Sequence, residues 1–257
     1  MKIKTAVFLP DMHLKTTPTE MVACGWKPDV SKALWACLKF CADFKPDVTI
    51  LGGDILDLKE ISKHDERKRL TMEGLRLEHT FALANQILDK VDKFTRGEKV
   101  FLKGNHEMWL EMYVDEHPAL YGSIGIEKNL KLKERGYKVI PENKAYKIGH
   151  ARFIHGWYWN KFHSRKTVDE MGDNVFYGHV HDVQIHTKTN YDSQPLMGQS
   201  VGCLCDLDPT WRKGKPNRWV NGFGVFYFLP DGDFSPYHPI IINGRFVWNG
   251  KIYDGGK

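Results

Sequence analysis

Five short apolar segments of this chain each run into a cluster of aspartate, asparagine or histidine, and this repeated pattern constrains the fold most strongly. The clearest case is the β-branched run from Val48 to Leu51, which predicts a buried strand. The run ends at Gly52-Gly53, where the backbone can turn sharply, and Asp54 follows. Because open α/β sheets place their ligands at strand ends, the sequence predicts a functional site here.

Four other predicted strands end in the same kind of residue. Their polar groups are Asp11 and His13, Asn105 and His106, His155, and His179 and His181. A single histidine of this kind is more often a hydrogen-bonded structural group than a metal ligand. Five such clusters at the ends of predicted strands, however, indicate one shared site at the edge of a sheet.

The residue types in these clusters match a centre of two divalent metal ions. Such a pair lies about 3.5–4 Å apart and clamps the attacking and leaving oxygens of a displacement at phosphorus. It needs one bridging carboxylate with further histidine, aspartate and asparagine ligands. Imidazole combined with carboxylate favours manganese, iron, zinc or nickel over calcium or magnesium. We therefore expect two divalent transition metal ions, with manganese as the first candidate.

The order of the predicted elements indicates an α/β fold. Residues 2–9 form a strand, Asp29 caps a helix over residues 30–44, and the next strand leads into Asp54, which makes a βαβ unit with parallel strands. Residues 14–28 are expected to be a loop. Further predicted elements are a helix over 72–94, an interrupted helix over 108–134, strands over 99–102, 138–140 and 174–177, and a hairpin of 146–148 with 151–154.

Beyond residue 183 the pattern changes to short strand-like runs separated by Asp-Gly and Asn-Gly pairs, which are strong hairpin signals. These runs predict a C-terminal antiparallel β meander that either closes a second sheet or extends the fold. No linker-like stretch divides the chain. We therefore predict a single domain over residues 1–257, with the catalytic motifs in 1–183 and a β-rich part in 184–257.

Charge and composition narrow the classes of protein to consider. The 257 residues carry a net charge of +5, which permits a polyanionic substrate without requiring one. The N-terminal apolar run before Pro10 is too short for a signal peptide or a membrane span, so we expect a cytoplasmic protein with no membrane partner. A structural zinc at the cysteines fits no common spacing, and reduced thiols are the simpler interpretation. The sequence indicates no oligomeric state.

In chain order the clusters read D-x-H, G-G-D-x-x-D, G-N-H-E, H-G and G-H-x-H. This series resembles the calcineurin-like metallophosphoesterases, and it implies their sandwich of two sheets flanked by helices. The resemblance implies that one metal is held by Asp11, His13 and His181, that the other is held by Asn105, His155 and His179, and that Asp54 bridges both. The implied nucleophile is a hydroxide that bridges the metals, so no phospho-enzyme is expected.

The same resemblance assigns roles to three further residues. His106 is similar to the family's catalytic histidine, which stabilises the phosphoryl oxygens and protonates the leaving group. Asp57 and Glu107 resemble groups that support the ligands, and Glu107 is expected to orient His106. Leu58 follows Asp57 where the family's Ser/Thr protein phosphatases have arginine, which argues against a phosphoprotein phosphatase. The C-terminal part, with its tryptophans and Asn-Gly turns, resembles the C-terminal tails of bacterial and phage-borne relatives that are nuclease-like.

Two segments, residues 157–166 and 211–219, combine aromatic and basic side chains, a pattern typical of grooves that bind single-stranded nucleic acid. Alternatively, the aromatic residues fill the core and the cations are solvated. The predicted function is a dimetal phosphodiesterase acting on nucleotides or nucleic acid, with single-stranded nucleic acid as a candidate partner. One alternative is a phosphomonoesterase for small phosphorylated molecules, and a remote one is a non-catalytic binding scaffold.

Overall fold

The computed structural model describes residues 3–18, 26–63, 72–189, 191, 194–209 and 212–256. The strands are β1 Lys4–Leu9, β2 Lys15–Pro18, β3 Trp26–Asp29, β4 Val48–Leu51, β5 Glu98–Leu102, β6 Tyr137–Ile140, β7 Tyr146–Ile148, β8 Ala151–Ile154, β9 Asn174–Tyr177, β10 Val183–Lys188, β11 Leu196–Val201, β12 Gly224–Phe228, β13 Phe234–Tyr237, β14 Arg245–Trp248 and β15 Lys251–Asp254. The helices are α1 Lys32–Phe44, α2 Leu77–Phe94, α3 Asn105–Glu116, α4 Ile126–Asn129 and α5 His163–Met171, with 3-10 turns at Lys59–Ile61 and Pro118–Leu120.

Two sheets form the centre of the fold. The six-stranded sheet has the order β13-β12-β1-β4-β5-β6, in which β1, β4, β5 and β6 pair in parallel. The five-stranded sheet has the order β10-β11-β9-β8-β7, with parallel pairing of β8, β9 and β11. Strand β1, helix α1 and strand β4 form the predicted βαβ unit. The predicted α/β fold, a two-sheet sandwich flanked by helices, is confirmed.

Strand β1 is buried on both faces, and a separate apolar cluster covers each face. Phe8 belongs to the apolar cluster between the sheets, where the ring centroid of Phe153 lies 5.6 Å from Phe8 and 4.9 Å from Phe226. Val7 and Leu9 belong to the cluster shared with helices α1 and α2. Continuous burial of this kind is expected of parallel strands covered on both sides. On the far side, α5 packs against β9, β10 and β11.

Most pairs of C-terminal strands are antiparallel, as predicted, but β11 also pairs in parallel with β9, and the strands are distributed over the whole fold. Strands β12 and β13 extend the first sheet beside β1, and β10 is the antiparallel edge of the second sheet. Among the described strands of the C-terminal part, β14 and β15 alone form a separate hairpin, which packs on α1. The single-domain organisation stays a prediction.

Several local details differ from the sequence prediction. Helix α1 begins after Ser31, whose Oγ accepts a hydrogen bond from the Leu34 amide at 3.0 Å, so Ser31 and not Asp29 is the cap. Asp29 instead lies in β3, which pairs with β2 in a region predicted to be a loop. The helix predicted over 72–94 begins at Leu77.

Helix α5 was not predicted, because part of its buried face is polar: His163, Ser164 and Thr167 are buried together with Val168. A polar face produces no apolar periodicity for sequence analysis to detect. In the described part of the chain, no helix combines the length and the apolar character that crossing a membrane requires.

Candidate metal centre

The seven predicted metal ligands lie together at one edge of the sandwich. Those of the first sheet follow β1, β4 and β5, which are neighbours, and those of the second sheet follow β8 and β9, also neighbours. The two sheets therefore contribute ligands from opposite sides. Groups of these side chains offer donor atoms that lie within 4.8 Å of one another, among them Asp11 with His13 and Asp54, and Asp54 with His155 and His179.

The backbone at these strand ends is unusual. Five of the seven predicted ligands have positive φ: Asp11 at 45°, His13 at 44°, Asp54 at 50°, His179 at 66° and His181 at 59°. Only a few per cent of non-glycine residues adopt this left-handed region. Each such residue costs of order 1–3 kcal/mol, and such strain concentrates at functional sites. The conformation is thus independent support for a site at this edge.

Two motif glycines make room for ligands from neighbouring strands. A Cβ atom on Gly104 would lie 2.3 Å from Oδ1 of Asp54, and one on Gly178 would lie 2.1 Å from Oδ2 of Asp11. No side chain fits at either position without moving a carboxylate. The glycines before Asn105 and His179 therefore allow the loops of the site to pack against each other.

The first donor set consists of Asp11, His13 and His181. Nε2 of His181 lies 3.1 Å from Nε2 of His13 and 3.2 Å from Oδ1 of Asp11. The opposite ring nitrogens have partners of their own: Nδ1 of His13 lies 3.4 Å from the Asp57 carboxylate, and Nδ1 of His181 lies 3.8 Å from Sγ of Cys205. These partners orient the rings so that both Nε2 atoms face the same point.

The second donor set consists of Asn105, His155 and His179. Oδ1 of Asn105 lies 3.0 Å from Nε2 of His155 and 2.9 Å from Nδ1 of His179, and the two nitrogens are 3.2 Å apart. Adjacent ligands of an octahedral ion with bonds near 2.1 Å are about 3.0 Å apart, so this triangle fits such an ion. Nδ1 of His155 donates a hydrogen bond to the Gly52 carbonyl at 2.9 Å, which leaves Nε2 for the site.

Asp54 lies between the two donor sets. Its Oδ2 atom is 3.8 Å from Nε2 of His13 and 3.4 Å from Nε2 of His155. Its Oδ1 atom accepts a hydrogen bond from the backbone N–H of His106 at 2.9 Å. One oxygen is therefore fixed by the start of helix α3, while the other faces both sets, as a bridging ligand must.

The buried carboxylates favour the positively charged form of one histidine in the second donor set. Burial disfavours charge on His155, but the neighbouring Asp54 carboxylate raises the pKa of His155 to about 10. Burial and the charge on His155 lower the pKa of His179 to about 4. One imidazole is thus drawn towards the charged form and the other is held neutral.

The first donor set shows the same division. Burial works against charge on His181, yet its neighbours Cys205 and Asp11 raise the pKa of His181 well above the usual value. Burial and the nearby His106 lower the pKa of His13. Each set thus offers a carboxylate or amide oxygen together with imidazole nitrogens, in surroundings that favour positive charge. A divalent ion would supply that charge. The donor chemistry fits the expected pair of metals.

His106 lies beside Asp54 on the first turn of helix α3. Its Nδ1 atom is 2.6 Å from the carbonyl oxygen of Asp57, and its Nε2 atom is 3.9 Å from Oδ2 of Asp54. Trp109, one helical turn further on, packs against the His106 ring with a centroid distance of 3.8 Å. Because a carbonyl only accepts, Nδ1 carries a proton and Nε2 faces the site.

Glu107 acts on different groups from those expected. It is fully buried, and its carboxylate accepts hydrogen bonds from the backbone N–H groups of Gly104, Asp54, Ile55 and Leu56 at 2.9–3.3 Å. Both oxygens are used in this way, so the Asp57 carbonyl orients His106 in place of Glu107. Glu107 instead joins the loop after β4 to the start of α3.

Sequence reasoning missed several side chains that surround the site. Trp109 supports His106, and Cys205 contacts His181. His163 is completely buried, and its ring nitrogens lie 2.7 Å from the Tyr177 hydroxyl and 3.0 Å from the Asp182 carboxylate. Two sequence signals point to this buried group: Asp182 directly follows a predicted ligand, and His163 lies shortly after the predicted ligand His155.

The four cysteines that the structure describes do not assemble the structural zinc site that was considered, and Cys24 lies outside the described residues. Cys37 and Cys41 are buried in α1, and among the described residues neither belongs to a group of side chains able to hold a metal. Cys205 lies instead beside the first donor set, in a group with His13 and His181. The neighbouring Cys203 and burial raise the pKa of the Cys205 thiol, and the charge on His181 opposes this shift in part.

Comparison with known proteins identifies the family. The sequence profile described as calcineurin-like phosphoesterase matches residues 5–195. A search of curated proteins found no significant match. Among solved structures, Vps29 from Chaetomium thermophilum is similar with 9% sequence identity and a TM-score of 0.38, covering 91% of this chain and 96% of Vps29.

The NAD nucleotidase NadN from Haemophilus influenzae is similar with 11% identity and a TM-score of 0.40, covering 94% of this chain and 50% of NadN. The profile match spans most of the chain and includes all seven predicted ligands. The chain therefore belongs to the calcineurin-like phosphoesterase family of metal-dependent phosphoester hydrolases.

Proposed function

We propose that the protein is a two-metal phosphodiesterase that acts on nucleotides or nucleic acid. The observation that carries this proposal is the position of Asp54 Oδ2 between two donor sets and beside His106. A pair of sites that share one carboxylate suits in-line displacement at phosphorus. In this proposal Asp11, His13 and His181 hold one metal, Asn105, His155 and His179 hold the second, and manganese is favoured.

When bound, the two metals supply Lewis-acid charge at the phosphoryl oxygens and a nucleophile at neutral pH. The chain's own residues position the other groups. His106 is fixed by the Asp57 carbonyl and by Trp109, so its Nε2 atom is the ring nitrogen that can exchange a proton with the leaving oxygen. The backbone hydrogen bonds accepted by Glu107 join the loop after β4 to the start of α3, and so hold Asp54 and His106 beside each other.

The choice of a nucleotide or nucleic-acid substrate is supported by the surroundings of the site. Trp219 lies 4.4 Å from His181 and Trp159 lies 6.1 Å from His179, measured between ring centroids. Residues 157–166 and 212–219 contain several lysines and arginines and no acidic residue. Cations that attract phosphate beside aromatic rings that stack on bases suit such a substrate. Trp211, part of the predicted segment, lies outside the described residues.

A paired assay tests the proposal. Metal-stripped protein is reloaded with manganese and given p-nitrophenyl phosphate, bis(p-nitrophenyl) phosphate and single-stranded DNA. We expect cleavage of the diester and of DNA, and loss of both in the His106→Ala variant. Hydrolysis of the monoester alone would favour the phosphomonoesterase, and no hydrolysis by the manganese-loaded protein would contradict the proposal.

A further inference from the structure

A cleft of about 180 Å³ opens beside the second donor set. Asn105, His155 and His179 form its inner wall, and its outer wall includes Trp157, Trp159, Glu142 and Asn143. The cleft is smaller than the pockets of roughly 300–1,000 Å³ that enclose drug-sized ligands. It has room for one planar ring system next to the site, and its outer wall has no part in the metal centre.

Trp159 stands out in this wall because its side chain is unusually exposed. It is 75% exposed, although its ring centroid lies only 6.1 Å from that of His179. Trp219, on the other side of the site, is packed between His181 and the guanidinium of Arg212. A large exposed aromatic surface beside a catalytic centre is the type of surface on which a ligand ring stacks.

Glu142 and Asn143 provide polar groups in the same wall. Glu142 is half-buried, and among the described residues neither side chain makes a hydrogen bond or an ion pair. A half-buried carboxylate without a partner favours a ligand that donates hydrogen bonds. It also repels a second phosphate, so the group in the cleft should be an uncharged ring with N–H donors. Nucleobases meet both requirements, as in the pairing of Glu with the cytosine amino group.

We propose that this cleft binds one nucleobase of the substrate, with Trp159 as the stacking surface and Glu142 and Asn143 as hydrogen-bonding partners of the base edge. The inference rests on the proposed function, which it sharpens: the substrate is a nucleotide ester whose base lies on the side of the second donor set. The scissile phosphate then lies beside Asp54, and the base lies under Trp159.

The first test measures turnover. Manganese-loaded protein is given two diesters with the same leaving group, thymidine 5′-(p-nitrophenyl phosphate) and methyl p-nitrophenyl phosphate, which has no base. Stacking on an aromatic side chain is worth enough per base that Trp159→Ala should raise KM for the thymidine ester roughly five- to a hundredfold. We expect little change for the methyl ester. Tyr121→Ala, an exposed aromatic residue that does not line the cleft, is the matched control.

The second test measures binding without turnover. The dissociation constants of deoxycytidine 5′-monophosphate, deoxythymidine 5′-monophosphate, ribose 5-phosphate and phenyl phosphate are determined by calorimetry for the wild type, Trp159→Ala and Glu142→Gln. We expect Trp159→Ala to weaken both nucleotides and not ribose phosphate, and Glu142→Gln to weaken the cytosine nucleotide more than the thymine nucleotide.

These outcomes separate the two proposals. If both diesters resist hydrolysis while Trp159→Ala still weakens nucleotide binding, the phosphodiesterase is wrong and the base site stands. If the diesters are cleaved and Trp159→Ala changes neither KM nor nucleotide binding, the base site is wrong and the phosphodiesterase stands. If phenyl phosphate binds as tightly as the cytosine nucleotide and Glu142→Gln has no effect, the cleft accepts any aromatic ring and the nucleobase assignment is overturned.

Discussion

The two donor sets lie on either side of Asp54 but differ in their surroundings. The first set is closed, because Trp219 covers His181, Arg212 covers Trp219, and buried Cys205 lies behind the histidine ring. The second set opens into the cleft below the exposed Trp159. The open side is the one on which we propose that the base of the substrate binds.

The two sets are nevertheless built in the same way. Each contains two imidazole nitrogens about one hydrogen-bond length apart, at 3.1 Å in the first set and 3.2 Å in the second. Each has one histidine with a raised pKa and one with a lowered pKa. The difference between the sides therefore comes from the residues around the ligands, and substitutions that affect one side or both can test it.

The largest effect is expected for Asp54→Asn, which removes the charge shared by both sides. Metal content should fall from about two ions per chain, the number a bridged pair requires, and activity should fall to background. Elemental analysis after gel filtration measures the first, and the diester assay measures the second. Asp115→Asn, an exposed position on α3, is the matched control. Full loss of one ion with retention of the other would show that Asp54 serves only one side.

His106→Ala should leave metal bound at both donor sets and still reduce turnover. General acid catalysis by a positioned histidine contributes roughly 10²–10⁴-fold, and we expect kcat to fall by about that factor. Metal content should match the wild type, because His106 belongs to neither donor set. His117→Ala, at the other end of α3, provides the control. A parallel loss of metal would identify His106 as a ligand and contradict the assignment.

Asp57→Asn tests whether the two donor sets have separate surroundings. Of the two sets, the Asp57 carboxylate contacts the first, through Nδ1 of His13. Loss of such a supporting carboxylate typically weakens metal affinity by about 10–100-fold. We expect a manganese titration to show one weakened and one unchanged site. Equal weakening of both sites would mean that the two sides are coupled more tightly than their separate contacts indicate.

Glu107→Gln should destabilise the loops common to both sides. The amide nitrogen of glutamine cannot accept the backbone hydrogen bonds that one carboxylate oxygen now accepts. Buried donors left without a partner cost about 1–3 kcal/mol, and the free energy of unfolding should fall by that amount. Urea denaturation in the presence of a chelator measures the loss without a contribution from bound metal, with exposed Glu134→Gln as control. An unchanged free energy of unfolding would mean that the hydrogen bonds accepted by Glu107 do not stabilise the fold.

Much of the fold could be predicted because its strands are apolar runs that end abruptly. Strands β4, β7, β8 and β9 have the predicted bounds. Apart from the βαβ unit that places β4 beside β1, the order of strands in the sheets could not be read from the sequence, since local pattern does not specify that β12 lies on the other side of β1. Helix α5 was not predicted because its buried face carries polar residues, among them His163, whose partners Tyr177 and Asp182 are distant in sequence.

The candidate site was predictable to the extent that its ligands follow glycine-containing motifs. Those motifs placed seven side chains at one edge, but they could not show what lies around that edge. The contact between Cys205 and His181 joins residues 24 positions apart, and Trp159 is exposed only because of the course of its loop. The role of Glu107 depended on backbone amides, which carry no sequence signal.

The most direct test of the account is anomalous diffraction from crystals of the manganese-loaded protein. We expect two peaks about 3.5–4 Å apart, the spacing of two-metal centres. One peak should contact Asp11, His13 and His181, the other should contact Asn105, His155 and His179, and Oδ2 of Asp54 should bind both. A single peak, or a metal bound by His13, His181 and Cys205 without Asp54, would contradict the proposal of a bridged pair.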